Sequence, residues 1–173
     1  MRHVRRGGDY LRVADPDWED PLDGGFAAIS GGRWNPAASF PVVYLCATVE
    51  VARANVHRKL DDQPYGPEDL EPDAAPMLVS TLVREDRFVD ALTDRGCRSL
   101  GLPASYPLDS HGRTIGHRRC QPIGQAAWDD GEPGIACRSA AASSPRGGEE
   151  LAFFARRRRL RPSQSMPFED WFW

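Results

Sequence analysis

Arg33, Tyr44 and Asn55 follow one another at equal intervals in the first third of the sequence. Gly31 and Gly32 precede the arginine and allow a ligand to approach the backbone, and a guanidinium offers planar donors that suit phosphate oxygens. A tyrosine ring offers a flat face to a nicotinamide or adenine, while an amide can bond a ribose hydroxyl but cannot accept a proton. If they serve a ligand, these residue types suit a nucleotide, with an amide at a position where chemistry would favour an acid.

Each of these residues also has a structural interpretation. Arg33 could pair with an acid of the preceding DPLDGG segment, and Tyr44 could pack in the core with its hydroxyl bonded. Ser139, in CRSAA, could hold a ribose or phosphate oxygen or could serve only the fold. Residue types alone leave both interpretations open.

Other chemical signals are weaker. The cysteines lie far apart without metal-ligand spacing, so we expect free thiols and no metal site. His57, His111 and His117 show no ligand spacing either, and the glycine pairs, such as that at Gly147, form neither a dinucleotide fingerprint nor a phosphate loop. The run ARRRRLRP is arginine-rich, but a solvated strand edge explains it better than nucleic-acid binding.

The apolar pattern predicts mixed α and β structure that positions these residues. Pro41 introduces VVYLC, an apolar, β-rich run, and Thr48 is a plausible N-cap for the helix after it, with Glu50 in the first turn. Pro122 predicts a kink or a new start in the second helix. Strands are predicted at 10–14, 42–46, 77–84, 134–138 and 151–155, helices at 49–60 and 114–128, and a turn or short helix at 87–94.

Length and composition predict one self-standing domain. The chain has 173 residues and a formal net charge of -3, which gives no general attraction to nucleic acid or anionic membranes. No apolar run is long enough to span a bilayer, and no apolar segment follows the basic start MRHVRR. We therefore expect a cytoplasmic protein without direct nucleic-acid or membrane binding.

Several separated motifs together resemble the RES domain family. Arg12 in YLRVA, GGRWNP, VVYLCATVEVARA, and CRSAA followed by GGEELAFF occur in the order of the family's pattern. The resemblance covers almost the whole chain, with a motif-bearing core at about 10–160 of a single domain spanning 1–173. It implies a mixed α/β fold similar to ADP-ribosyltransferase toxins, with a central β-sheet, flanking helices and a cleft for NAD.

The resemblance also implies a function. RES proteins are toxins of bacterial toxin–antitoxin pairs that cleave the nicotinamide–ribose bond of NAD+, with phosphate or water as acceptor. It assigns Arg12 and Arg33 to the charged or polar groups of NAD, Tyr44 to the nicotinamide side and Ser139 to the ribose or phosphate region. It implies NAD+ as substrate, phosphate as a second substrate, no cofactor, an antitoxin with a helix-turn-helix domain and a homodimer of toxins.

One residue departs from the family pattern. The family carries an acid on the helix at the position of Asn55, and an amide carries no charge to stabilise a cationic transition state. Glu50 points about 140° away around the helix and cannot replace it. The sequence therefore leaves open an enzyme, a weakened one, a RES-fold protein that only binds NAD or an antitoxin, and an ADP-ribosyltransferase; it also predicts that Asn55→Glu raises turnover.

Overall fold

Six strands form one sheet in the computed structural model, which describes residues 1–141, 148–156 and 159–173. Their order across the sheet is β1, β2, β5, β4, β3, β6. Every pairing is antiparallel except that between β3 and β4. The strands are β1 (His3–Ala14), β2 (Val42–Cys46), β3 (Met77–Ala91), β4 (Gly134–Arg138), β5 (Glu149–Phe154) and β6 (Pro162–Met166).

The long strands β1 and β3 close the sheet on itself. They pair from His3 opposite Val89 to Ala14 opposite Met77, and β1 also pairs with β2 through Leu11 and Cys46. The path β1–β2–β5–β4–β3 therefore returns to β1 as a closed ring. Closure removes most free edges and brings residues from distant parts of the sequence to one end of the ring.

Strand β2 has the predicted bounds and is buried on both faces. Val42 packs in one apolar cluster with Tyr44 against it, whereas Val43 and Leu45 pack in a second cluster on the opposite face. Successive strand side chains alternate between faces, so a strand covered on both sides reads as a continuous apolar run. The fold class is mixed α/β, as predicted.

Five α-helices flank the sheet within the described residues. Helix α2 has the predicted bounds, and its N-cap Thr48 accepts a hydrogen bond from the backbone N–H of Val51 at 3.3 Å, as expected of a capping threonine. The helices are α1 (Gly25–Ser30), α2 (Val49–Leu60), α3 (Asp94–Ser99), α4 (His117–Asp129) and α5 (Phe168–Trp171).

The predicted turn or helix at 87–94 is wrong. Strand β3 continues to Ala91, because Phe88 and Val89 are fully buried and Val89 pairs with both His3 and Ile135. The polar run before Phe88 lies on an exposed part of the same strand. Because these residues are polar, the sequence predicts that the strand ends at residue 84.

The second helix begins three residues later than predicted, because Thr114 forms a bridge with Leu108 instead. Pro122 lies inside this helix. Strand β5 begins at Glu149, two residues before the predicted start. Helices α1, α3 and α5 and strand β6 were not predicted.

Some sequence features lie outside the described residues. These are Gly147, most of the loop between β4 and β5, and residues 157–158 of the arginine-rich run. Among the helices that the structure describes, none has the length and apolarity required to cross a membrane.

Candidate active site

A cleft of about 310 Å³ lies where β1, β2 and β5 meet α1, α2 and α4. This volume falls at the lower end of the range of small-molecule pockets, about 300–1,000 Å³. The cleft brings together four of the five predicted site residues, while Ser139 does not line it. Its walls comprise Arg12, Val13, Trp18, Phe26, Ala27, Gly31, Gly32, Arg33, Tyr44, Leu45, Cys46, Asn55, Arg58, His117 and Glu150.

Tyr44 holds the loop that carries Arg33. Its hydroxyl accepts a hydrogen bond from the backbone N–H of Trp34 at 2.9 Å and donates one to Oδ1 of Asn35 at 2.8 Å. Burial raises the pKa of this phenol, so it stays neutral. With its hydroxyl engaged, Tyr44 offers the cleft a ring and no acid or base.

Gly32 allows the loop to lie directly on this ring. A Cβ added at Gly32 would fall 2.5 Å from the hydroxyl oxygen of Tyr44 and 2.7 Å from its Cε2. Such distances are far below van der Waals contact. The glycine in GGRWNP is therefore required by the close approach of the backbone to Tyr44.

Arg33 is buried beside the cleft. It donates a hydrogen bond from Nη1 to the backbone oxygen of Ile115 at 2.7 Å, which ties the loop to the segment before α4. The alternative that Arg33 pairs with an acid of DPLDGG receives no support, because Asp20 and Asp23 act on Arg12 instead.

Arg12 enters the cleft from β1. It donates a hydrogen bond from Nη1 to the backbone oxygen of Asp23 at 2.8 Å, and its guanidinium lies 4.9 Å from the ring centre of Trp18. Burial lowers the pKa of Arg12 to about 10, although the charges of Asp23 and Asp20 oppose this. Arg12 is therefore still charged at neutral pH.

Asn55 lies on α2 beside a carboxylate that sequence reasoning missed. Its Nδ2 donates a hydrogen bond to Oε1 of Glu150 at 2.8 Å and a longer one to the backbone oxygen of Val51 at 3.2 Å. The sequence predicts a strand from residue 151, one residue after Glu150, and so places this acid in a loop, whereas the structure places it within β5. Two charged residues open β5, and only their alternation along the strand could have indicated that one faces inward.

Ser139 reaches the cleft through the same carboxylate. Its hydroxyl donates to Oε1 of Glu150 at 2.8 Å and accepts from the backbone N–H of Ala141 at 3.2 Å. The serine is buried, so it supports Glu150 from behind. Its predicted contact with ribose or phosphate stays a prediction.

Arg58 and His117 also line the cleft, and neither was predicted as a site residue. Partial burial lowers the pKa of His117 below its ordinary 6.5, and the positive charges of Arg33 and Arg58 lower it further. The imidazole is therefore mostly neutral at pH 7. Arg58 lies three residues after Asn55 on α2, a spacing that places both on one face of a helix.

The two thiols beside Glu150 are protonated at neutral pH. Cys46 and Cys137 are the strand neighbours of Glu150 on β2 and β4. Burial raises the pKa of both thiols, and the charge of Glu150 raises it further, so neither supplies a thiolate nucleophile. Across the residues that the structure describes, no group of three or more His, Cys, Asp or Glu could hold a metal ion.

The family model of the RES domain matches residues 9–170. Among curated relatives, the protein named NAD(+) phosphorylase MbcT from Mycobacterium bovis is 30% identical over 147 residues, which cover 84% of this chain and 72% of the relative. Proteins of the same name from two strains of Mycobacterium tuberculosis match to the same extent.

A solved structure has the same fold. It is a chain of the M. tuberculosis MbcT–MbcA toxin–antitoxin complex, with a TM-score of 0.77 and 24% sequence identity. The match covers 98% of this chain and 91% of that one. The ring of strands and its helices therefore form a fold already seen in that complex.

Proposed function

The chain belongs to the RES domain family, and from this premise we propose that it is a toxin that cleaves the nicotinamide–ribose bond of NAD+. The observation that carries the proposal is the convergence of Arg12, Arg33, Tyr44 and Asn55 on one cleft. The relatives named NAD(+) phosphorylase support it, because this chain is 30% identical to them over 72% of their length.

The residues of the cleft take distinct roles in the proposal. Arg12 and Arg33 hold the pyrophosphate, since their guanidinium groups remain charged and suit phosphate oxygens. Tyr44 orients the nicotinamide ring with its own ring, because its hydroxyl is already bonded to the loop. Asn55 and Ser139 serve the ribose region, where both bond one carboxylate.

In the proposed reaction the bond between C1 of the ribose and the ring nitrogen breaks. The electron pair goes to the nitrogen, so nicotinamide leaves as a neutral base while positive charge grows on the ribose carbon. An oxygen of phosphate, or of water, then forms a bond to that carbon. The products are nicotinamide with ADP-ribose 1-phosphate, or with ADP-ribose after hydrolysis. The reaction needs no cofactor or metal.

The test is to incubate the purified protein with NAD+, with and without phosphate, and to follow both products. Nicotinamide release that depends on phosphate, with ADP-ribose 1-phosphate formed, supports phosphorolysis; release without phosphate supports hydrolysis. Arg33→Met should abolish release, whereas Arg84→Met, an exposed arginine on β3, should not. Binding of NAD+ without any release would contradict an enzymatic role.

Asn55 by itself favours a second candidate, a RES-fold protein that binds NAD+ or an antitoxin without turnover. An ADP-ribosyltransferase is the third, with a protein as acceptor. Mass spectrometry of proteins incubated with the enzyme and NAD+ separates these outcomes, because only a transferase adds ADP-ribose to a protein.

The proposal includes a partner. We expect an antitoxin with a helix-turn-helix domain that binds over the cleft, a homodimer of toxins, and action in the cytoplasm, where NAD+ is abundant. The similar solved structure is from a toxin–antitoxin complex, which supports the antitoxin. Co-expression with the product of the adjacent reading frame, followed by co-purification and size measurement, tests both the partner and the dimer.

A further inference from the structure

Glu150 is held by two hydrogen-bond donors at the wall of the cleft. Asn55 Nδ2 and Ser139 Oγ each donate to Oε1 of its carboxylate at 2.8 Å. Among the hydrogen bonds of the described residues, none reaches the other carboxylate oxygen, Oε2. Two donors on one oxygen fix the orientation of the group and leave the second oxygen for a ligand.

The strand determines which of two adjacent acids faces the cleft. On the opposite face of β5, Glu149 accepts hydrogen bonds from Arg6 Nε and Tyr10 hydroxyl, both at 2.7 Å. Successive side chains on a strand point to opposite faces, so Glu150 turns toward α2. Its strand partners, Cys46 on β2 and Cys137 on β4, anchor it between two buried strands.

Among the described residues that line the cleft, no other side chain supplies a negative charge at neutral pH. Glu150 is the sole carboxylate among its walls within the described part of the chain. Burial raises the pKa of Tyr44 and of Cys46, which keeps both neutral. Glu50, in the first turn of α2, is exposed.

We infer that Glu150 is the catalytic carboxylate of this protein and that Asn55 is its positioning residue. The inference rests on the proposed function, because it concerns the charge that develops during NAD+ cleavage. As the bond from ribose C1 to nicotinamide breaks, the Glu150 carboxylate stabilises the cationic carbon. An oxygen of phosphate then bonds to this carbon, and the proton of the phosphate leaves to solvent.

This assignment explains why an amide occupies position 55. An amide donates to a carboxylate, whereas a second carboxylate would repel it. In this chain the negative charge of the cleft therefore comes from strand β5 and not from helix α2. Ser139 contributes the second hydrogen bond and so belongs to the same arrangement.

The first test compares Glu150→Gln with Glu50→Gln, which removes the same charge from an exposed site. Gln keeps the shape and one acceptor oxygen, so the variant should fold and bind NAD+ nearly as wild type. Its kcat for nicotinamide release should fall by about a hundredfold or more, because the lost charge acts in the transition state. Glu50→Gln should match wild type in both kcat and Kd.

The second test returns the carboxylate to the helix in the double variant Asn55→Glu/Glu150→Gln. We expect it to regain part of the kcat lost in Glu150→Gln. Thermal unfolding shows whether Glu150→Gln is folded. If it is not, nicotinamide release by the double variant supports the inference, and absence of release overturns it.

The outcomes separate the inference from the proposed function. Wild-type release together with an unchanged kcat in Glu150→Gln overturns the role of Glu150 and leaves NAD+ cleavage intact. Absence of release from wild type, with NAD+ bound, overturns both.

Discussion

The hydroxyl of Tyr44 donates a hydrogen bond of 2.8 Å to Oδ1 of Asn35. The hydroxyl oxygen of Tyr44 also accepts a hydrogen bond from the backbone N–H of Trp34, so one phenol holds both residues that follow Arg33. A residue assigned to the ligand from its sequence therefore also organises the loop that binds it.

Tyr44→Phe should destabilise the protein and lower its affinity for NAD+. The change keeps the ring but leaves a buried N–H and an amide oxygen without their partner, which costs about 1–3 kcal/mol. Chemical denaturation should show the loss, and calorimetry should show weaker NAD+ binding because the Arg33 loop loosens. Tyr65→Phe, at a half-exposed tyrosine, is the control and should leave both unchanged. Equal stability of Tyr44→Phe and wild type would contradict this role.

Gly32→Ala should be destabilising by about 1–3 kcal/mol, the range for overpacking of a filled site. The new Cβ would overlap the partly buried ring of Tyr44, so the loop with Arg33 must shift. Gly116→Ala is the matched control, because its φ is −73° and a Cβ there meets nothing within 4 Å. Thermal unfolding of both variants measures the difference; a stable Gly32→Ala with normal NAD+ binding would show that the loop is free to move.

Asn55→Glu should lower nicotinamide release and stability. The sequence predicts the opposite, because it treats position 55 as lacking its acid. In the structure Nδ2 of Asn55 lies 2.8 Å from Oε1 of Glu150, so the variant would place two carboxylates in contact. Steady-state kinetics and denaturation across pH check this; a rate above wild type would restore the interpretation drawn from the sequence.

His117 should make stability depend on pH just below its ordinary pKa of 6.5. Its pKa is lowered in the folded state by partial burial and by Arg33 and Arg58, so the unfolded chain takes up a proton first. Lowering the pH through this window therefore favours unfolding, and raising it restores stability. His117→Gln should show a smaller slope of unfolding free energy against pH there. Above pH 7 the two curves should run parallel; identical slopes in the window would disprove the assignment.

Local patterns identified the elements whose reasons are local. Strand β2 and helix α2 have their predicted bounds because an apolar run after a proline and a capping threonine are both readable from neighbouring residues. Strand β4 was predicted to the residue for a similar reason. Strand β3 was cut short because its exposed middle resembles an end.

The motifs of the sequence identified the family, and four of the five site residues they marked line one cleft. The loop of Arg33 and the ring of Tyr44 lie close together in the chain, so their association was accessible to sequence reasoning. The roles of His117 and Arg58 were not accessible in this way. His117 begins one helix and Arg58 lies on another, and only the tertiary structure shows that both lie near Arg33.

Only the tertiary structure determined where the negative charge of the cleft lies. Asn55 and Glu150 are separated by 95 positions in sequence, and their contact depends on the register of β5 between β2 and β4. Register decides which face each strand residue takes, and a shift by one residue would exchange Glu150 for Glu149. The amide at position 55 is visible in the sequence, but its carboxylate partner is fixed by the register of β5 within the sheet.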